Sequence, residues 1–442
     1  MPDDGFVQFN KHIIEYMRGV YVLLLISLLG YTGRVSGQES VTITQCYEWA
    51  NYPQIHQMGL IDQTERYSLS NVGKAWLPQL SVSGKASYQS DVTKLPLDGD
   101  KISSLLPGFE IPSLSKDQYQ VVAQVDQTIW DGGSTRSARA LTRAEAIANR
   151  EQLESELYAL NDRVNQIYFG CLLQDELIRQ NALLQKELQV NIERIEAMME
   201  NGVANQSDLE SMEVELLNAR QNEIELRASR TVYRQMLATF INKPLTDQVV
   251  LKTPESPERS LSTQINRPEL RALDAKSEWI ETQNKQVTAG LMPRIGAFVQ
   301  GGYGRPGLNM LEDSFEPYYV AGVRLSWNLG KLYTLKNDRR KIEVSRRQID
   351  VQRETFLFNT RLQLLRQNTE IKKMTDLMRA DDDIIRLRTS IKQAAEVKLE
   401  NGVISVTDLI REINAEDMAR QTAAAHRVQR LMTIYNYMYT TN

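Results

Sequence analysis

The 442-residue sequence contains few of the residues that build catalytic or metal sites. It has two cysteines, Cys46 and Cys171, and three histidines, of which only His56 and His426 lie beyond residue 37. No spacing of histidine, cysteine and carboxylate residues matches a metal ligand set or a nucleophile with its base. A disulfide between the two cysteines is allowed in an exported protein but is not indicated. The sequence therefore predicts no enzyme, no metal and no cofactor.

Excess positive charge and nucleotide-binding motifs are also absent from the sequence. The formal net charge is −4, which argues against nucleic acid as a partner. There is no G-x-x-x-x-G-K-[ST] motif, so ATP hydrolysis by this chain is not expected. Residues 302–307, GYGRPG, satisfy G-x-G-x-x-G, but Pro306 interrupts the motif and no helix follows, which indicates an outward-facing loop.

No hydrophobic run is long enough for a membrane-spanning helix. The longest, VYVLLLISLLG at 20–30, has eleven residues, whereas a bilayer requires about 20. It is typical of a secretory signal, and Val35-Ser-Gly37 supplies small residues before a cleavage site. We expect residues 1–37 to be a signal peptide, with Met1 or Met17 as its start. A membrane-embedded part of the mature chain must therefore consist of strands.

Aromatic residues make up only 7% of the chain, charged residues 24%, and the mean hydropathy is −0.41. This composition favours long solvated helices over one large core. All 13 prolines lie outside 113–243 and 318–442, so both windows can hold uninterrupted helix. In the first window, apolar residues recur at alternating steps of four and three, which predicts a coiled-coil seam: Leu153, Leu157, Leu160, Val164, Ile167 and Cys171.

Four pairs of landmarks occur in the same order in the two halves of the chain. NYPQI at 51–55 and WLPQL at 76–80 match NRPEL at 266–270 and LMPRI at 291–295, both at an offset of 215. IWDGG at 129–133 then matches SWNLG at 326–330. We interpret this order as an internal duplication. It comprises a first repeat at 38–243, an irregular linker at 244–265 and a second repeat at 266–442.

The fourth pair is ENGVANQSDLE at 200–210 and ENGVISVTDLI at 400–410. Asn-Gly permits a left-handed turn, and Ser207 with Glu210 suggests a capping box for the helix that follows. Ser405 with Asp408 is a weaker version of the same box. Each phrase is predicted to form the tip of a long antiparallel helical hairpin. Alternatively, Gly202 and Gly402 serve only as helix C-caps without any contact role.

Four segments alternate between apolar and polar residues with a period of two: 79–90, 118–130, 294–303 and 318–328. Their lengths suit tilted membrane-spanning strands. Four strands cannot close a barrel, so several chains must share one. The alternative is a soluble sheet half buried against helices. Lys85, Asp126 and Arg324 on the polar faces are candidate lumen residues, or ordinary solvated strand positions.

The signal sequence, the NxPE-type helix, the xLPxLSxSG strand entry, the WDGG strand exit, the NGV tips and the full duplication together resemble the TolC family of outer membrane efflux proteins. The resemblance implies a mainly α fold with a small β part. It also implies a homotrimer with a 12-stranded β-barrel in outer membrane lipid and a long periplasmic α-barrel. The implied partners are a periplasmic adaptor protein and an inner-membrane transporter of the RND, ABC or MFS type.

In that family the hairpin tips form both the periplasmic gate and the adaptor contact. Asp408 matches a position in an acidic ring at the family's aperture, while Arg411 stands where a second acidic residue is expected. Either three converging Asp408 carboxylates form a charge-selective constriction, or Asp408 only complements the dipole of its helix. The resemblance carries these roles to Asn201, Gly202, Val203, Asp208, Leu209, Asn401, Gly402, Val403, Asp408, Leu409 and Arg411.

The sequence thus favours a passive duct that exports small molecules or polypeptides across the outer membrane. The alternative is a structural coiled-coil scaffold of the cell envelope. A scaffold has no need of four membrane-length amphipathic strands, so these strands favour the duct. Neither the transported substrate nor the particular pump follows from the sequence.

Overall fold

The computed structural model describes residues 40–93, 114–256, 262–310 and 312–442. The predicted signal peptide at 1–37 lies outside these residues, as does part of the predicted linker at 244–265. The described helices are α1 Ile43–Trp49, α2 Gln57–Gly73, α3 Ser134–Tyr158, α4 Leu160–Glu200, α5 Gln206–Ile241, α6 Pro268–Ala289, α7 Leu332–Glu400 and α8 Val406–Thr441. The described strands are β1 Ser40–Val41, β2 Gln79–Tyr88, β3 Asp117–Trp130, β4 Val250–Leu251, β5 Arg294–Arg305 and β6 Glu316–Ser326.

The described chain divides into two compact units, and each takes segments from both predicted repeats. The first unit combines the described parts of Met1–Asn51, Asp162–Ser260 and Glu370–Tyr435. The second combines those of Tyr52–Asn161, Leu261–Thr369 and Asn436–Asn442. The spatial division therefore does not follow the repeat boundaries at 243 and 266, because each repeat contributes helices to both units.

One apolar cluster of the first unit packs β1, α1, α5 and β4 against α4. Tyr168, which is fully buried, places its hydroxyl 2.9 Å from the carbonyl oxygen of Val41 and 2.7 Å from that of Lys252. Val41 lies in β1, which pairs in parallel with β4. The segment predicted to be an irregular linker thus contains a short strand, held by a tyrosine that sequence reasoning did not single out.

Both cysteines lie in this same cluster as free, buried thiols. Burial raises the pKa of Cys46 and of Cys171 to about 12, so both thiols stay protonated at neutral pH. Protonated thiols are poor nucleophiles. The two cysteines act here as small apolar core residues.

The predicted helix from Ser134 to Glu200 is two helices, α3 and α4, separated by Ala159. Ala159 keeps a right-handed backbone, with φ −61° and ψ −19°, and its N–H still bonds the carbonyl oxygen of Ser155. The interruption is therefore a local loosening of the hydrogen-bond ladder. The predicted seam is buried at Leu153, Leu160, Val164, Ile167 and Cys171.

The second unit contains a four-stranded antiparallel sheet in the order β2-β3-β5-β6. Its strands overlap the four segments with a period of two. The central pair, β3 with β5, joins the two halves of the chain. A bulge between Thr128 and Trp130 shifts the β3 register, so that Trp130 pairs with Ile295. Of the helices in the described ranges, none has an apolar stretch long enough to cross a membrane.

Candidate functional site

The two hairpin tips share one backbone design. At the first tip, Gly202 has φ +70°, and its N–H bonds the Met199 carbonyl oxygen at 2.9 Å. The N–H of Val203 bonds the Met198 carbonyl oxygen at 2.9 Å. This pair of bonds is the Schellman motif, in which a glycine in the left-handed region ends a helix. In both tips the preceding asparagine also donates its side-chain amide to a carbonyl four residues earlier.

The second tip repeats these bonds 200 residues later. Gly402 has φ +67° and donates to Leu399, while Val403 donates to Lys398 at 2.8 Å. Because a positive φ costs a residue with a Cβ about 1–2 kcal/mol, glycine is the natural residue at both turns. Nothing lies within 4 Å of a Cβ built on either glycine. The turns are therefore open toward solvent, and backbone conformation rather than crowding selects glycine.

The capping box predicted at Ser207 and Glu210 is wrong. The helix begins earlier: Asn205 is the N-cap of α5, and its side chain accepts a hydrogen bond from the N–H of Asp208 at 3.1 Å. The Asp208 carboxylate in turn accepts from the Asn205 N–H at 3.1 Å. Asparagine is an N-cap as effective as serine, and aspartate replaces glutamate at the third position. Ser207 lies within the first turn of the helix.

At the second tip, Ser405 and Asp408 form the capping box that the sequence suggested. The Asp408 N–H donates to the Ser405 hydroxyl at 3.2 Å, and the carboxylate accepts from the Ser405 N–H at 3.2 Å. Arg411 also donates to this carboxylate at 2.6 Å. Hydrogen bonds from Ser405 and then from Arg411 lower the pKa of Asp408, which keeps it ionised. Arg411 therefore offsets the negative charge of Asp408 at this tip.

The tip residues divide into exposed and buried groups. Asn201, Gly202, Asn401 and Gly402 are exposed, and Val203 and Val403 are 58% and 69% exposed. Leu409 is fully buried, and Leu209 is partly buried against the same cluster. This cluster, which we call the tip core, comprises Leu188, Ile192, Ile195, Met212, Leu216, Ala219, Ala395, Leu399, Val406, Leu409, Ile410 and Ile413. The two leucines thus anchor the tips, and the two valines are available for contact.

A charge cluster lies next to the tip core in sequence, farther from the turns; it is buried at Glu416 and partly buried at Lys392 and Glu187. The ammonium of Lys392 on α7 forms ion pairs with the carboxylates of Glu187 on α4 and Glu416 on α8, the latter at 2.7 Å. Glu416 is 2% exposed and also accepts from Thr389 and Arg420. Burial alone would raise the pKa of Glu416, but these donors lower it to about 2. The cluster links the first hairpin to the second.

Asp417 lies beside this cluster, and its pKa shifts in the opposite direction from that of Glu416. Burial, together with the nearby carboxylates of Glu187 and Glu416, raises its pKa to about 6, although Gln421 donates a hydrogen bond to it at 2.6 Å. Adjacent residues on α8 thus have acidities that differ by several pKa units. No sequence pattern indicates this cluster, because its members lie far apart in the chain, between Glu187 and Asp417.

The three candidate lumen residues lie on one face of the sheet. The register pairs Lys85 with Gln120, Asp126 with Phe298 and Arg324 with Gly296, and residues two apart on a strand share a face. The Arg324 guanidinium lies 3.7 Å from the Asp126 carboxylate and 4.8 Å from the ring centre of Phe298. Asp126 also accepts from Gln124 at 2.7 Å. We call the face of the sheet that carries Lys85, Asp126 and Arg324 the polar face.

The opposite face, which we call the apolar face, carries mostly exposed hydrophobic side chains. Their exposed fractions range from 38% for Val125 to 80% for Tyr319. A water-facing sheet surface of this size has no ordinary role in a soluble monomer. The large side chains on it are Leu80, Val82, Tyr88, Tyr119, Val121, Val125, Val299, Tyr303, Tyr319, Val323 and Leu325.

Residues 49–243 match the family model described as outer membrane efflux protein. This part of the chain is similar to the outer membrane efflux protein family. The resemblance inferred from the sequence motifs is thereby confirmed. The match covers β2, β3, the first tip and the helices between them. The second tip lies outside the matched segment, and its likeness to the first rests on the shared hydrogen bonds described above.

Solved outer membrane proteins have a similar fold. MtrE of Neisseria gonorrhoeae, an outer membrane channel in its open state, is 15% identical with a TM-score of 0.61 over 90% of this chain and 87% of its own. The CmeC channel of Campylobacter jejuni is 11% identical, with a TM-score of 0.61 over 90% and 85%. VceC of Vibrio cholerae is 12% identical, with a TM-score of 0.60 over 90% and 95%. No curated protein sequence matches the chain.

Proposed function

We propose that the protein is the outer membrane channel subunit of a tripartite efflux or secretion system. The observation that carries this proposal is the sheet, which combines an exposed apolar face with a polar face. Its outer strands, β2 and β6, each pair with one strand in the described residues. Unpaired edges in hydrocarbon cost several kcal/mol per backbone group. Neighbouring copies would satisfy these edges, and three copies supply the twelve strands that the family resemblance implies.

In this proposal the apolar face contacts outer membrane lipid and the polar face lines a passive duct. Lys85, Asp126 and Arg324 would then face the transported substrate. Because Asp126 pairs with Arg324, the charge at this level is partly balanced, which suits a conduit for varied cargo. Energy for transport would come from an inner-membrane transporter of the RND, ABC or MFS type, through a periplasmic adaptor.

A pair of adjacent substitutions tests the assignment of the two faces. Val82 lies at the middle of β2 on the apolar face and is 69% exposed, whereas Ser83 lies on the polar face. An arginine on the lipid side at mid-membrane costs about 2–4 kcal/mol, but it is tolerated in a water-filled lumen. We expect Val82→Arg to abolish the heat-modifiable trimer and its single-channel conductance, and Ser83→Arg to conduct. Equal effects of both substitutions would contradict the assignment.

We further propose that the tips form the gate and the adaptor contact. The exposed Val203 and Val403, each next to the glycine of its turn, offer an apolar contact on each hairpin. Gly402→Trp adds a large side chain where nothing lies within 4 Å of the Cβ, so the trimer should assemble while export is blocked. Gly402→Asn, which tolerates a positive φ, is the matched control and should export. Unchanged drug sensitivity of cells that depend on the tryptophan variant would contradict this role.

A coiled-coil scaffold of the cell envelope is the alternative function. It accounts for the long helices but leaves the apolar face without a partner. A purified protein that stays monomeric and water-soluble without detergent would favour the scaffold.

A further inference from the structure

A groove opens between the start of α3 and the end of α6, at the end of the sheet where β5 begins. Its volume is about 610 Å³. Two cations line it, Arg136 on α3 and Lys285 on α6, and none of its described lining residues is acidic. Neither cation forms an ion pair in the part of the chain that the structure describes. The remaining lining is small or apolar, including Ala140, Ala289 and the 43% exposed Met292.

The position of the groove around α3 indicates which side of the sheet it faces. Ser134 and Thr135 line a separate cavity of about 290 Å³ that includes Asp126 and Arg324, so that side of α3 continues the polar face. Arg136, Ser137 and Ala140 line the groove instead. At about 100° per residue, the two sets lie roughly opposite one another on the helix. The groove therefore opens on the side away from the polar face.

Exposed tryptophans lie at the same end of the sheet. The bulge in β3 places Trp130 beside Ile295 of the apolar face, and Trp130 is 41% exposed. Trp327, just after β6, is 58% exposed and donates its ring N–H to the Leu291 carbonyl oxygen at 2.9 Å. Tryptophans at strand ends are typical of the level of lipid headgroups. Arg136 and Lys285 thus lie next to the level at which lipid phosphates would occur.

We propose that the Arg136–Lys285 groove binds the headgroup of an anionic phospholipid from the periplasmic leaflet. The two cations would contact the phosphate, and the acyl chains would continue along the apolar face. This inference rests on the proposed function, because it requires the sheet to lie in a membrane. A Lys or Arg near an anionic membrane surface contributes about 1 kcal/mol, so removing two should weaken lipid retention about thirtyfold.

The test compares two double variants with the same change in charge. Arg136→Gln/Lys285→Gln removes both groove cations. Arg143→Gln/Lys276→Gln removes two exposed cations from the same helices, farther along the chain from the sheet. The purified channel in detergent is titrated with phosphatidylglycerol, phosphatidylcholine or inorganic phosphate, and bound lipid is counted by native mass spectrometry. We expect the wild type and the distal variant to retain phosphatidylglycerol preferentially, and the groove variant to lose that preference.

Several outcomes would overturn the proposal. Equal loss of bound phosphatidylglycerol in both double variants would indicate that general surface charge retains the lipid. Displacement of the lipid by inorganic phosphate at matched concentration would indicate a site for free anions. Loss of the trimer in the groove variant alone would assign the groove to an interface between copies. Conductance in phosphatidylcholine vesicles separates the two hypotheses. A wild-type channel that conducts but shows no phosphatidylglycerol preference rejects only the lipid site, whereas absent insertion rejects the proposed function.

Discussion

Replacing Lys392 by methionine tests whether the buried charge cluster holds the two hairpins together. Methionine fills a similar space but leaves the buried Glu416 with Thr389 and Arg420 as its donors. The pKa of Glu416 is lowered from 4.5 to about 2, which corresponds to about 3 kcal/mol at 1.36 kcal/mol per pKa unit. Lys392 contributes the largest favourable share, so we expect a loss of about 2 kcal/mol. Breaking a buried pair from one side costs this order of energy.

Amide hydrogen exchange measures this loss where it should occur. A change of about 2 kcal/mol corresponds to roughly thirtyfold faster exchange at amides of the tip core on α4, α7 and α8. Lys398→Met is the control, since Lys398 is exposed and lies on the same helix. It should change exchange by less than about 0.5 kcal/mol. Equal protection in the two variants would refute the idea that the cluster links the hairpins.

The pH dependence of the Lys392→Met effect follows from the direction of the Glu416 shift. The folded-state pKa is below the unfolded one, so the stabilisation is fully present above pH 4.5 and is lost as the pH falls toward 2. The difference between the wild type and the variant should therefore persist at pH 6 and shrink below about pH 4.5. A difference that disappears already at pH 6 would assign the effect to another group.

Three further substitutions, two of them with a matched control variant, probe the same region by hydrogen exchange. Because burial raises the pKa of Asp417 from 3.8 to about 6, this residue lowers the stability of the fold as the pH rises from about 4 through 6. Asp417→Asn should therefore gain up to about 3 kcal/mol at pH 7.5 and nothing below pH 4. A gain that is independent of pH would contradict this. Gly402→Ala should cost about 1 kcal/mol because φ is +67°, and Gly402→Asn less. Leu409→Ala should cost about 2–5 kcal/mol at a fully buried position, whereas Val403→Ala, 69% exposed, should be nearly neutral.

The strands were predictable because their physical requirement is local. A strand with one apolar and one polar face must alternate with a period of two, and this alternation is visible in a single segment. The bulge at Thr128 and Trp130 was not visible, since a bulge is a mismatch between two strands and neither sequence alone reveals it. Yet that bulge places Trp130 on the apolar face, where the proposed lipid contact needs it.

The charge cluster shows the limit of sequence reasoning more clearly. Glu187, Lys392 and Glu416 each read as ordinary charged positions on long solvated helices. Their burial depends on which helical faces meet, and that depends on the packing of three segments far apart in the chain. The helix cap was missed for a smaller reason: Asn205 and Ser207 are both good N-caps, and only the course of the backbone selects between them.

The duplicated tips show which features a turn imposes and which it leaves free. Both tips need a glycine at positive φ, a Schellman pair and a capping box, and both have all three. The side chains one turn later are not constrained by the turn: Arg411 pairs with Asp408, while Ser211 stands at the corresponding place and bonds the Ser207 carbonyl oxygen. Among the described residues, the carboxylate of Asp208 at the first tip therefore has no arginine one turn later, whereas that of Asp408 at the second tip is paired with Arg411. The two tips are equivalent as turns but differ as charged surfaces, so a single partner that contacts both must recognise two different sites.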